Sequence, residues 1–111
     1  MIRDSTHVSP DGLLRLVVRA AEGDVTIGFE GFSWHTHADI LAAVYGMSQE
    51  EAVAHQVQQL LDNKQVIVIS RQGEKVLNAW VTDDPQRELR HDSEEEQIEC
   101  RYWDGTAWRP S

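Results

Sequence analysis

The chain has one cysteine, Cys100, which excludes an internal disulfide, and three prolines, which leave few forced breaks in regular structure. No apolar run approaches the roughly 18 residues that a membrane-crossing helix needs, and the first residues, Met1 to His7, hold no apolar segment that could act as a secretory signal. A cytoplasmic protein without a membrane partner is therefore expected. Basic residues are also scarce, ten against 19 acids, for a net charge of -9. Such a balance repels nucleic acid phosphates and anionic lipid surfaces, and it favours basic partners instead. No glycine-rich loop follows a strand pattern, so a phosphate-cradling doubly wound fold is not expected.

What is present is enough for one core. A length of 111 residues suits a single domain, and an apolar fraction of 41% with four tryptophans argues against disorder. One α+β domain over residues 1–111 is expected, opened by a polar tail over 1–10. Ser9-Pro10-Asp11-Gly12 closes that tail with turn chemistry. Residues 13–20 then alternate, with Leu14, Leu16, Val18 and Ala20 on one face, and Val25, Ile27 and Phe29 repeat the pattern after a short Glu22-Gly23-Asp24 connection. These two strands should form an antiparallel hairpin.

After Gly31 the period changes at Trp34-His35-Thr36-His37. Thr36 followed by Asp39 has the spacing of a helix cap, with Ile40, Leu41, Val44 and Tyr45 as the apolar stripe and Gly46 as the stop. Ser48 and Glu51 repeat the capping signal for a second helix reaching about Asn63, with Val53, Val57, Leu60 and Leu61 on one face. Residues 65–70 are apolar on both faces, as a central strand requires, and residues 75–82 form its hairpin partner. Asp83-Asp84-Pro85 ends that strand, and a β pattern resumes over 98–103. Asp104-Gly105 should turn it into a short strand over 106–109, bringing Trp103 and Trp108 together. The expected order is ββααβββ, an antiparallel sheet of about five strands with two helices packed on one face.

Chemistry-bearing residues are few. His35, His37 and Asp39 form a His-x-His-x-Asp string that would suit a transition metal in a small hydrolase, but His7, His55 and His91 are scattered and supply no evident further ligand. The competing reading makes this stretch a capped strand-to-helix corner with a structural role, and a further one gives it a partner- or ligand-contacting role at a loop. Cys100 has no local histidine and is expected to be a packed thiol, and Ser33 lies in no nucleophile elbow. No catalytic residue, bound metal or cofactor is expected. Between Asp83 and Glu99 eight acids face Arg87 and Arg90, so this segment holds six of the nine excess negative charges. Asp83, Asp84, Glu94, Glu95 and Glu96 are expected to steer a basic partner, with Tyr102, Trp103 and Trp108 as aromatic anchors beside them and Trp34, His35 and His37 as further contacts.

The run from Gly28 to Leu41, with Asp83-Asp84-Pro85 and Arg101-Tyr102-Trp103-Asp104-Gly105, resembles the small immunity proteins encoded beside bacterial polymorphic toxins. That resemblance implies a non-enzymatic cytosolic protein, monomer or homodimer, that binds and blocks a cognate toxin domain. A small-ligand or peptide-binding module, with its pocket between helices and sheet, is the other expectation.

Overall fold

In a computed structural model, which describes residues 2–110, the chain forms β1 (Ser5–Val8), β2 (Arg15–Ala21), β3 (Asp24–Phe29), β4 (His35–His37), α1 (Ala38–Tyr45), α2 (Gln49–Leu61), β5 (Val66–Gln72), β6 (Lys75–Thr82), α3 (Pro85–Leu89) and β7 (Gln97–Arg101). The class is α+β, but the strands make two antiparallel sheets rather than one, in the orders β1-β2-β3-β4 and β6-β5-β7. β4 pairs with β3 through Thr26 opposite His37 and Gly28 opposite His35, so β4 and not β5 is the strand beside β3. β5 instead becomes the centre of a second sheet, between β6 and β7. No helix among the described residues is long and apolar enough to cross a membrane.

Three other expectations are corrected. Part of the polar N-terminal segment is a strand, because Ser5 to Val8 pair along β2. Thr36 does not cap α1. It sits in β4 opposite Ile27, the N-cap position belongs to His37, and no side-chain capping bond forms there. Only Ala38 and Leu41 of α1 are buried, while Ile40 and Val44 of the expected stripe are 52% and 70% exposed. The second helix follows its signals: the Glu51 N–H donates to Ser48 Oγ at 3.2 Å, and the Ser48 hydroxyl donates back to Glu51 Oε1 at 2.9 Å. Gly46 ends α1 in the left-handed region, φ 65°, which a side chain would disfavour.

The main core gathers Leu16, Val18, Ile27 and Phe29 from the first sheet, Leu41, Val53 and Leu60 from the helices, and Ile67 and Ile69 from β5. β5 is apolar on both faces because Val68 turns the other way, into a smaller cluster with Ile98, Cys100, Trp80 and Trp108. α3, capped by Asp84 Oδ1 accepting the Arg87 N–H at 3.1 Å, lies beside this cluster, and the Cys100 thiol donates to the Pro85 carbonyl.

A polar contact ties the second sheet to the β1–β2 turn of the first. Arg101, at the end of β7, lies opposite Ile67 on the face turned to the main core and is 5% exposed. Its guanidinium meets Asp11 of the β1–β2 turn and also donates to Glu99 Oε2 at 3.3 Å. Asp11 is held for this contact: its Oδ1 accepts from Ser9 Oγ at 2.7 Å and from the Leu13 N–H at 3.0 Å. Burial pushes the Asp11 carboxyl up, but the Arg101, Leu13 and Ser9 hydrogen bonds and the Arg101 charge outweigh it, holding it at about 2 instead of 3.8.

Asp11→Asn is therefore expected to lower stability by about 1–2 kcal/mol at neutral pH, a value tempered by the solvent that reaches this carboxylate. Because the folded pKa lies below the unfolded one, the Asp11 contribution is complete above 3.8 and is lost as pH falls toward about 2. Urea midpoints measured from pH 2 to 7 should fall less steeply below pH 4 in Asp11→Asn than in the parent chain.

Candidate functional site

The seam between the two sheets is not filled everywhere. An open groove of about 930 Å³ runs between the β4 corner, the end of α2, the start of β5 and the β6–α3 connection. It brings Trp34 and His35 from one side of the chain against Asp83 and Trp108 from the other, four of the residues singled out as contacts. Trp80 joins them, together with Lys64, Arg87 and Glu88. Its volume lies in the range of ordinary ligand and peptide clefts.

Each wall has a local cause. Phe29 and Trp34 stack with ring centres 5.0 Å apart, fixing the Trp34 indole at the end of the first sheet. That contact requires β4 to run very close to β3, and Gly28 permits it: a Cβ there would sit 2.6 Å from the Trp34 carbonyl oxygen. Trp80 lies opposite Val68, and Val68 lies opposite Cys100, so Trp80 takes its place in the smaller apolar cluster beside Trp108. Trp108 is tied back by its N–H to the Cys100 carbonyl at 3.0 Å.

Where α2 meets β5 the groove is bounded by a closed ring of hydrogen bonds. The Tyr45 hydroxyl donates to Gln56 Oε1 at 2.5 Å, Gln56 Nε2 donates to Gln65 Oε1 at 2.7 Å, and Gln65 Nε2 donates to the Tyr45 hydroxyl at 3.5 Å. Gln56 is buried and would be costly there without these partners. Gln56 and Gln65 line the groove, and each amide nitrogen keeps a second N–H. On the opposite wall the Thr82 hydroxyl donates to Glu88 Oε1 at 3.1 Å, and Arg87 lies 3.5 Å from the same oxygen. Lys64 and Asp83 have no side-chain partner among the described residues, leaving one free cation and one free carboxylate in the lining. The arrangement offers aromatic surface, amide donors and both signs of charge to a ligand or a peptide segment.

The remaining candidates do not gather here. Trp103 is buried at 5% in the main core, so it cannot act as a surface anchor, and Trp108 belongs to the other cluster. The two tryptophans are not brought together, because the Asp104-Gly105 turn leads to a single bridge, Arg101 to Ala107, rather than a strand. Tyr102 is half-buried at that turn, where its N–H donates to the Thr106 carbonyl at 2.9 Å. The acidic segment is largely structural: Asp84 caps α3, Asp92 Oδ1 accepts the Ile98 N–H at 2.8 Å, and Glu96 Oε1 accepts the Ser70 hydroxyl at 2.6 Å. Glu99 pairs with Arg71 and Arg101. Of the acids in this segment only Asp83, Glu94 and Glu95 lack a side-chain partner among the described residues. Glu94 and Glu95 precede β7, whose first residue pairs with Arg71, whereas Asp83 follows Thr82, which pairs with Val66. They therefore lie toward opposite ends of the second sheet.

The His-x-His-x-Asp string is also rearranged. His35 Nδ1 donates to the Ser33 carbonyl at 2.9 Å, and His37 Nδ1 lies 3.1 Å from the Asp24 carboxylate. Asp39 Oδ1 instead accepts the Ile40 N–H at 2.9 Å. The carboxylate that meets His37 thus comes from β3, a pairing invisible in linear spacing. Among the described residues no group of three or more His, Cys, Asp or Glu is arranged to hold a metal ion. Burial, reinforced by the carboxylates of Glu88 and Glu99, pushes the Cys100 thiol up to about 11, far from the range of a nucleophile.

Gly28→Ala is expected to destabilise the fold by about 1–3 kcal/mol, since the clash is with backbone, and to move Trp34 and His35. Thermal unfolding and the NMR shifts of those two residues check both effects. Cys100 should react with a disulfide reagent at pH 8 only as fast as the chain unfolds, so labelling should accelerate sharply in denaturant. Comparison with protein-family models, curated proteins and solved structures finds no match to this chain.

Proposed function

We propose that the protein is a non-enzymatic binding protein that engages a partner protein through the groove between its two sheets, in the manner of a toxin-immunity protein. The observation that carries this reading is the meeting of Trp34, Trp80 and Trp108 around one open groove, with Asp83 at its margin. Half-buried aromatic residues beside a cleft are the residues that most often dominate binding energy, because they desolvate a large area at small cost in side-chain entropy. The net charge of -9 favours a basic partner, and the unpartnered carboxylates of Asp83, Glu94 and Glu95 are free to act on its approach. A basic toxin domain acting in the cytoplasm fits both terms: the aromatic groove holds it, and the free acids hasten its arrival.

The test uses the product of the gene next to this chain's own, and the reading fails if that product is not a toxin domain. Purified chain should bind that domain and abolish its activity, with an association rate that falls as salt is added. Glu94→Lys/Glu95→Lys should slow association about tenfold while leaving dissociation nearly unchanged, and Trp108→Ala should act mainly on dissociation. Asp83→Lys, on a side chain without a partner among the described residues, is the groove variant that preserves the fold. If Asp83→Lys and Trp108→Ala both bind with parental kinetics, the groove is not the interface.

A further inference from the structure

A second cleft, of about 390 Å³, lies between β1 and α2 and shares no lining residue with the groove. It exists because β1 presents the wrong residues to its helix. Ser5 pairs with Val18 and His7 with Leu16, and since Val18 and Leu16 face the core, Ser5 and His7 face inward as well. The apolar residue of this strand, Val8, points out and is 49% exposed. Two polar side chains therefore stand over an apolar helix surface made by Val53, Val57 and Leu61, and they do not fill the space above it. Arg3 stands at the margin. The side chains of Arg3, Ser5 and His7 have no hydrogen-bond or ion partner among the described residues.

An apolar cleft with a few converging, unsatisfied polar groups is the ordinary form of a small-molecule site. Here the floor is aliphatic, the free groups include a guanidinium, a hydroxyl and an imidazole, and the first of these carries a permanent positive charge in a strongly acidic chain. Charge complementarity selects an anion for the head, and the aliphatic floor selects a hydrocarbon tail. We propose that the β1–α2 cleft binds a free aliphatic carboxylate, with the chain against Val53, Val57 and Leu61 and the carboxylate at Arg3, Ser5 and His7.

The test titrates isotope-labelled protein with decanoate, decanol and decyltrimethylammonium, following amide shifts and binding heat. Decanoate should bind one-to-one and saturably, with shifts concentrated in β1 and along α2; decanol should bind more weakly, and the cation most weakly. Ala54→Trp, at an exposed position on the cleft wall, should fill the cavity and abolish binding. Arg3→Gln should weaken decanoate about fivefold while leaving decanol unchanged. Since Arg3 is exposed and has no side-chain partner among the described residues, this variant keeps the fold and decides the matter even if the tryptophan variant unfolds. The proposal is overturned by non-saturating decanoate binding, by equal binding of the decyl cation, or by an Arg3→Gln variant that binds decanoate as tightly as the parent. The groove reading does not depend on the result, because the two sites have no residue in common.

Discussion

The packing of two separate sheets through one shared core is the constraint on which the architecture depends. β4 is an edge of the first sheet beside β3, and the strands from Val66 onward pair among themselves as β6-β5-β7. The two sheets pair no strand with each other, so side chains alone hold them together: one apolar core drawn from both, and the Arg101 guanidinium meeting Asp11 across 90 residues of sequence. A buried cation is tolerable only when it is paired: Asp11, held by the Ser9 to Leu13 turn, takes one terminal nitrogen of Arg101 and Glu99 the other, while the buried Nε has no partner among the described residues. The groove is the stretch of the same seam where large side chains from the two sheets approach without closing. Fold and candidate site thus share one cause.

The acidity of the chain has a different meaning in three dimensions than in one. Between Asp83 and Glu99 most carboxylates are engaged at home, capping a helix, taking a strand N–H, holding the Ser70 hydroxyl or pairing with arginine. Those without a side-chain partner among the described residues are Asp83 beside the groove and Glu94 with Glu95 toward the other end of the second sheet. The charge run is therefore less a single patch than a set of local ties with three loose carboxylates. The tryptophans divide in the same way, Trp103 into the main core and Trp80 with Trp108 onto the far face of β5. A hairpin reading of Asp104-Gly105 could not anticipate this, because it treats neighbours in sequence as neighbours on one face.

Legibility followed the range of the interaction. Ser48 and Glu51 announce α2, Gly46 announces the end of α1, and the apolar run after Gln65 announces a strand buried on both sides, because each signal is made and answered within a few residues. β1 was hidden, since Ser5-Thr6-His7-Val8 has no apolar alternation and becomes a strand only by pairing with β2. α3 was hidden by its brevity, five residues behind an acidic cap. Thr36 was misleading in a more instructive way: its spacing to Asp39 is that of a cap, yet strand pairing claimed it first. Trp80, Gln56 and Gln65 carry no signal that separates groove residues from core residues, because their meeting depends on three distant elements.

The α+β class, the second helix, the central strand and the placement of Cys100 in a packed strand were determined by the sequence itself, through periodicity, capping and turn chemistry that act locally. Two sheets instead of one, the His37–Asp24 pair in place of a His-x-His-x-Asp site, and the groove that unites Trp34 with Trp108 were decided only by tertiary structure. The physical reason is range. Strand pairing and the packing of the two sheets join segments far apart in the chain, and no signal within a few residues encodes which faces meet, which acids are used or where the seam stays open.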